Sequence, residues 1–222
     1  MGSTLAELVD RAGALAADGR RAVLGIAGPP GAGKTTLAEA LVAALPESWV
    51  AHVPMDGFHL ADAELDRLGL RDRKGAPETF DAWGYASLLR RFLAGADEIV
   101  YAPGFERVLE QPIAGAIPVP RSVRLVITEG NYLLLGEGRW AGLRDVFSEV
   151  WYAGLDQQER LRRLIARHVR FGKEPAAAAA WATGTDERNA ALIATTRGRA
   201  DLVVPSALLS SLGADPGSEF LS

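Results

Sequence analysis

Apolar and polar positions along the chain fall into blocks that switch between two periods. The run Ala22–Ala27 is short, continuously apolar and ends at glycine, which predicts a buried strand. Similar runs over 49–55, 123–128, 149–153 and 200–204 predict four more, the last stopped by Pro205. Between them the period changes to that of a helix. Leu37, Leu41 and Leu45 share one face of 33–45, and Tyr85, Leu88, Leu89, Phe92 and Leu93 share one face of 81–94. Further helices are predicted over 156–171 and 185–197, with an Ala-rich one starting near Pro175 and an amphipathic one within 1–20. Two short strands, 98–101 and 116–119, are expected in a Pro- and Gly-rich stretch, and 206–222 reads as a loose tail. Alternating strands and helices predict an α/β fold, a doubly wound and mostly parallel sheet, in a single domain spanning 1–222.

Composition narrows the classes of function. With 222 residues, 48% of them hydrophobic and 23% charged, the chain can bury a core. No apolar run approaches the roughly 18 residues of a membrane span and no signal peptide is visible, so no membrane partner is expected. The absence of cysteine excludes disulfides and thiol chemistry and favours a cytoplasmic location. A net charge of −4 argues against nucleic acid as partner, and His52, His59 and His168 at no ligand spacing argue against zinc. A small-molecule substrate is the expected partner, with a homodimer left open. Three lysines stand against 21 arginines, so the position of each lysine carries weight.

The chemistry concentrates at Gly28-Pro29-Pro30-Gly31-Ala32-Gly33-Lys34-Thr35, which fits G-x-x-x-x-G-K-[ST] between a strand and a helix. Glycines let successive N–H groups curl around a phosphate, and the following helix adds its positive end. Pro29 and Pro30 lack N–H groups, so the donors are expected from Gly31, Ala32, Gly33, Lys34, Thr35 and Thr36. Lys34 would bridge the β- and γ-phosphates of ATP, and the Thr35 hydroxyl would hold Mg²⁺. This is a P-loop of the NTPase type.

Neither an Asn-Lys-x-Asp segment for guanine nor a Leu-Ser-Gly-Gly segment is present, which disfavours switch GTPases and transport ATPases. The second strand instead leads to Asp56 at its carboxyl end, which faces the ligand crevice where an acceptor hydroxyl would meet the γ-phosphate. A carboxylate there can take the hydroxyl proton, although capping the next helix is the alternative role. Glu129, after the strand 123–128, is placed to hold Mg²⁺ or touch substrate, with capping again the alternative. Without an acceptor, the same features would suit an ATP-binding regulatory module.

Residues 22–60 and 123–205 resemble the family of uridine kinase, phosphoribulokinase and bacterial pantothenate kinase. The segment Lys74-Gly75-Ala76-Pro77-Glu78-Thr79-Phe80-Asp81 is similar to the Lys-Gly-Phe-Pro-Glu-Ser-Tyr-Asp of pantothenate kinases. Tyr101-Ala102-Pro103-Gly104-Phe105-Glu106-Arg107 resembles the substrate-side strand, and Thr128-Glu129-Gly130-Asn131-Tyr132 resembles that of a short bacterial branch labelled nucleoside kinase-like or fructose kinase. The resemblance implies an ATP-dependent kinase with Asp56 as base, Glu129 as magnesium or substrate ligand, and Tyr101 and Arg107 near the substrate. Asp81 and His59 are expected to help bind the acceptor. Uridine kinases carry an acid where this chain has Gly75, and pantothenate kinases of this type are longer. A sugar or polyol such as fructose is therefore favoured over a uridine, cytidine or pantothenate acceptor.

Arg160, Arg163, Arg167 and Arg170 recur at i, i+3, i+7 and i+10 and form one stripe of the helix 156–171. Fixed guanidiniums can close over a triphosphate as a lid, here 156–198, with Arg163 and Arg167 the first choices. A solvated basic face is the plain alternative. Uridine kinases have a similar Arg-Leu-x-Arg-Arg-Ile-x-Arg-Asp run, with His168 replacing its final acid here. Arg197, before the last strand, is placed to stack on the nucleotide base.

Overall fold

The computed structural model describes residues 3–213. Helix α1 (Leu5–Leu15) is started by a capping box between Thr4 and Glu7. Strand β1 (Ala22–Ala27) feeds the P-loop and helix α2 (Lys34–Ala44), followed by the short strand β2 (Val50–His52). Helices α3 (Asp62–Leu68) and α4 (Ala82–Ala94) precede a hairpin of β3 (Ile99–Glu106) and β4 (Gln111–Pro120). Strands β5 (Leu125–Gly130) and β6 (Glu149–Ala153) come next. The helices α5 (Gln157–Arg170), α6 (Pro175–Thr183) and α7 (Thr185–Ala194) lead to β7 (Leu202–Val204) and α8 (Ser206–Leu212).

Five parallel strands form the main sheet in the order β2-β5-β1-β6-β7. The chain leaves the central β1 toward one edge for β2 and later crosses to the other side for β6. A crevice therefore opens beyond the carboxyl end of β1, where the P-loop begins. Both faces of β1 are covered. Val23 and Ala27 join the layer of Tyr85, Leu89 and Phe92 from α4, while Leu24 and Ile26 join Leu37 and Leu41 from α2 and Leu8 from α1. The same alternation sets the site. On β5, Leu125 and Ile127 face the α2 layer, which turns Glu129 toward α2 as well.

Several expectations change in the structure. The two short strands of the Pro-rich stretch are one long antiparallel hairpin, a separate sheet with Ile99 opposite Pro120. Its outer edges are unpaired, so prolines at 103, 112, 118 and 120 cost few ladder bonds. The start of the expected loose tail is instead α8, which buries Leu209 beside Leu37 and Leu41; residues 214–222 lie outside the described ones. The second strand is shorter than expected, and Asp56 stands on a tight turn, Met55–Phe58, beyond it. Among the described residues no helix is long and apolar enough to cross a membrane.

Candidate active site

The P-loop is shaped by glycines where side chains would clash. Gly31 has φ of 81°, and a Cβ there would lie 2.8 Å from the Arg160 carbonyl oxygen. Gly33, at φ of 85°, caps α2 and turns the chain into it. The first N–H groups of α2, from Lys34 to Thr36, have no partner one turn back and face the crevice end of the helix. Gly28 follows the buried strand, and Ala32, fully buried, donates its N–H to the Pro29 carbonyl (3.2 Å). Pro29 and Pro30 thus contribute carbonyls instead: Pro29 accepts from Lys34 Nζ at 3.1 Å and Pro30 from Arg160 Nη1 at 3.2 Å.

Lys34 is only 8% exposed, and its ammonium also donates to Asn131 Oδ1 at 2.9 Å. Burial pushes it down to about 8, against the pull of Glu129. Thr35 Oγ1 donates to Glu129 Oε1 at 3.0 Å, joining the P-loop to the end of β5. Burial, and then the charge of Asp56, raise the Glu129 carboxyl above its usual range.

Asp56 sits across the cavity from this pair. Burial alone would raise its carboxyl, but His59, Arg107, Lys34 and Arg167 outweigh that and hold it below the ordinary range. Arg107 Nη2 donates to Asp56 Oδ2 at 3.1 Å. His59 Nδ1 lies 2.9 Å from the Asp56 carbonyl oxygen, and its ring packs 4.0 Å from Phe80 and 4.9 Å from Phe105, centroid to centroid. Burial keeps His59 below its normal pKa, hence neutral at pH 7, so the guanidinium and ammonium groups maintain the Asp56 charge there.

These groups line one cavity of about 320 Å³ that also receives Arg167 from α5 and Lys74, Phe105 and Arg107 from the opposite wall. A second cavity of about 750 Å³ adjoins the other side of the loop at Pro29. Tyr152, Arg160, Glu187 and Arg197 line it.

Outside the P-loop, three expected residues are not brought to the cavities. Arg163 turns away, with Nε on Glu159 Oε1 (2.6 Å) and its other nitrogens on the carbonyls of Leu209 and Ser210, where it caps α8. Asp81 is the N-cap of α4, accepting from Gly84 N at 2.8 Å. Tyr101 is 56% exposed on β3, paired with Pro118. In place of Arg163 the structure brings in Arg160, 4% exposed and bonded to both Pro30 and Glu187 of α7. Residues seven apart on a helix are about 20° apart, and residues three apart about 60°. Arg160 and Arg167 therefore share the face toward the P-loop, and Arg163 falls toward α8. Asn131 and Lys74 were quoted in motifs, yet their spacing gave no sign that they reach this cavity.

The chain is similar to known proteins in sequence and in fold. Residues 23–89 match the model of the Phosphoribulokinase / Uridine kinase family. The chain is 35% identical over 178 residues to a Schizosaccharomyces pombe protein named "Putative uridine kinase", covering 77% of this chain and 76% of that one. It is 34% identical to YggC of Escherichia coli, over 83% of this chain and 78% of that one, and 31% identical to a pantothenate kinase of Streptomyces avermitilis, over 82% and 64%. Among solved structures, a "putative fructose transport system kinase" from a Silicibacter species aligns with a TM-score of 0.82 at 38% identity, over 92% of this chain and all of that one. With a P-loop, a buried lysine and a facing carboxylate in one crevice, and these relatives beside it, the chain belongs to the phosphoribulokinase and uridine kinase family and is an ATP-dependent phosphotransferase.

Proposed function

We propose that the chain transfers the γ-phosphoryl group of ATP to a hydroxyl of a small sugar or polyol, with Asp56 as the general base. The observation that carries this reading is the placement of Asp56. It is an ionised carboxylate in the P-loop cavity, tied to Arg107 and facing Lys34 and Arg167. As the acceptor oxygen attacks, Asp56 takes its proton, and the O–P bond to the leaving ADP breaks. Lys34 and the N-terminal amides of α2 hold the β- and γ-phosphates, while Arg167 offsets charge on the transferring group. The region 156–198 acts as the lid within a single domain, with Arg160 joining its helices α5 and α7 to the P-loop. Arg197 serves the base end.

The oxygens of Thr35 and Glu129 suit magnesium, a hard cation. Among the described residues no group of three or more His, Cys, Asp or Glu side chains converges, so the ion would be shared between these oxygens, water and the phosphates. When bound, it neutralises charge on the β- and γ-phosphates.

A sugar or polyol is supported by the name of the Silicibacter relative and by Gly75, which offers no acid for ribose hydroxyls. The test is coupled ADP release with Mg·ATP against fructose, other sugars and polyols, uridine, cytidine and pantothenate. A sugar or polyol that raises turnover well above background hydrolysis is the expected result. Turnover only with a nucleoside would contradict the acceptor class and leave the base assignment standing.

A further inference from the structure

The core layer under α4 holds two hydroxyls that the phosphoryl-transfer chemistry above does not use. Thr128 and Tyr85 are both fully buried, and their side-chain oxygens lie 2.6 Å apart. Thr128 Oγ1 also lies 2.5 Å from the Val53 carbonyl oxygen. A carbonyl only accepts, so the Thr128 proton goes to Val53 and the Tyr85 O–H donates to Thr128. Burial raises the Tyr85 phenol well above its usual pKa, which keeps that proton in place. The chain of bonds from Tyr85 through Thr128 to Val53 therefore runs in one direction.

Its place in the fold gives this chain a use. Strand β2 ends at His52, and Val53 follows it, giving its N–H to the Ile127 carbonyl at 3.0 Å. With its carbonyl taken by Thr128, Val53 has both backbone polar groups tied to β5 just where the chain leaves the sheet. Asp56 stands three residues further on. Tyr85 reaches the same turn from beyond Asp56, since its ring packs edge-on against Phe58 with centroids 5.0 Å apart. The turn is also pressed close to its neighbours: a Cβ on Gly57 would lie 2.2 Å from the Pro103 carbonyl oxygen, and one on Gly130 2.5 Å from Met55 Sδ. On β5 the next residue after Thr128 is Glu129, whose carboxylate turns to the opposite face and accepts from Thr35. Apolar residues of the same shape in place of both hydroxyls would be close to neutral for stability. What the hydroxyls add is direction, because fully satisfied buried bonds hold a group in one orientation.

We propose that Thr128 and Tyr85 are positioning residues that fix the turn carrying Asp56, so that its carboxylate meets the acceptor hydroxyl at the distance proton transfer needs. This rests on the reading of Asp56 as the base and adds how the fold holds it there.

The test measures kcat, acceptor KM and Mg·ATP affinity, using the acceptor of highest turnover in the panel above. Thr128→Val keeps the shape and removes the hydroxyl, so kcat should fall about tenfold while acceptor KM and ATP affinity stay within about twofold. Tyr85→Phe should lower kcat about threefold in the same manner, and Thr128→Ser should retain most of it. Urea unfolding of each variant confirms that it is folded under assay conditions; if Thr128→Val is not, Tyr85→Phe, which leaves Val53 bonded, decides. In an Asp56→Asn background the same substitutions should change kcat less than about twofold, because the group they place is gone. A wild-type kcat for Asp56→Asn alone, or a panel with no active acceptor, would remove the reading beneath this inference. With that reading standing, an unchanged kcat in the folded variants, or an equal loss with and without the Asp56 carboxylate, would overturn the inference and leave the hydroxyls a purely structural pair.

Discussion

Lys34 bonds two neutral oxygens, those of Pro29 and Asn131, and it is buried, so its pKa of about 8 lies well below that of a free lysine. Below pH 8 the ammonium is charged and ready for phosphate; above it the free protein has lost that charge. ATP should draw a proton back onto Lys34, and its affinity should fall as pH rises past 8. Calorimetry at pH 8 in two buffers of different ionisation enthalpy should show uptake of about half a proton per ATP, against almost none at pH 6. Lys34→Met should abolish that difference. An affinity flat from pH 6 to 9 would place the ammonium outside the phosphate site. Gly31 provides a second test at this scale. Gly31→Ala has to adopt a positive φ and meet the Arg160 carbonyl, so it should cost about 1–3 kcal/mol by urea unfolding and weaken ATP binding. A neutral Gly31→Ala would mean that the loop relaxes freely.

Helix α8 shows how tertiary packing can order a segment whose sequence looks loose. Its seven residues are too few to be stable as an isolated helix. It is held instead by Leu209, buried against α2, and by Arg163, which binds its last carbonyls. Leu209→Ala should therefore cost about 2–4 kcal/mol, read as a lower urea midpoint with unchanged slope. A shift below about 0.5 kcal/mol would return 206–212 to the status of a tail. β1, the P-loop and α2 were legible in the sequence because a glycine-rich motif between an apolar run and a helical period has one structural solution. The hairpin was less so, since its prolines mask a strand pattern that two free edges tolerate. Within the arginine stripe, spacing identified the helix but not its neighbours, so Arg163 could not be told from Arg160 before α8 and the P-loop were placed around them. Asp56 was legible as a carboxylate at the crevice, whereas its anchor, Arg107, comes from 51 residues away and was reached only through family resemblance.

The whole molecule is built on a parallel sheet whose central strand ends at the P-loop, with the β3–β4 hairpin on one side of the cavity and helices α5 to α7 on the other. Ligands that bridge those parts should stabilise the fold by mass action. Mg·ATP at about 100 times its Kd should add about 2.7 kcal/mol, which is several degrees in Tm for a chain of this size. No Tm shift would mean that the loop does not take the nucleotide. The central claim is that Asp56 is the base for phosphoryl transfer within this crevice, and Asp56→Asn tests it most directly, because it keeps the shape and removes the proton acceptor. With the wild type's best acceptor and Mg·ATP both saturating, kcat should fall at least about 10²-fold, while calorimetry shows that Mg·ATP still binds. A kcat within a few-fold of wild type would contradict the account and leave the acceptor proton to another group.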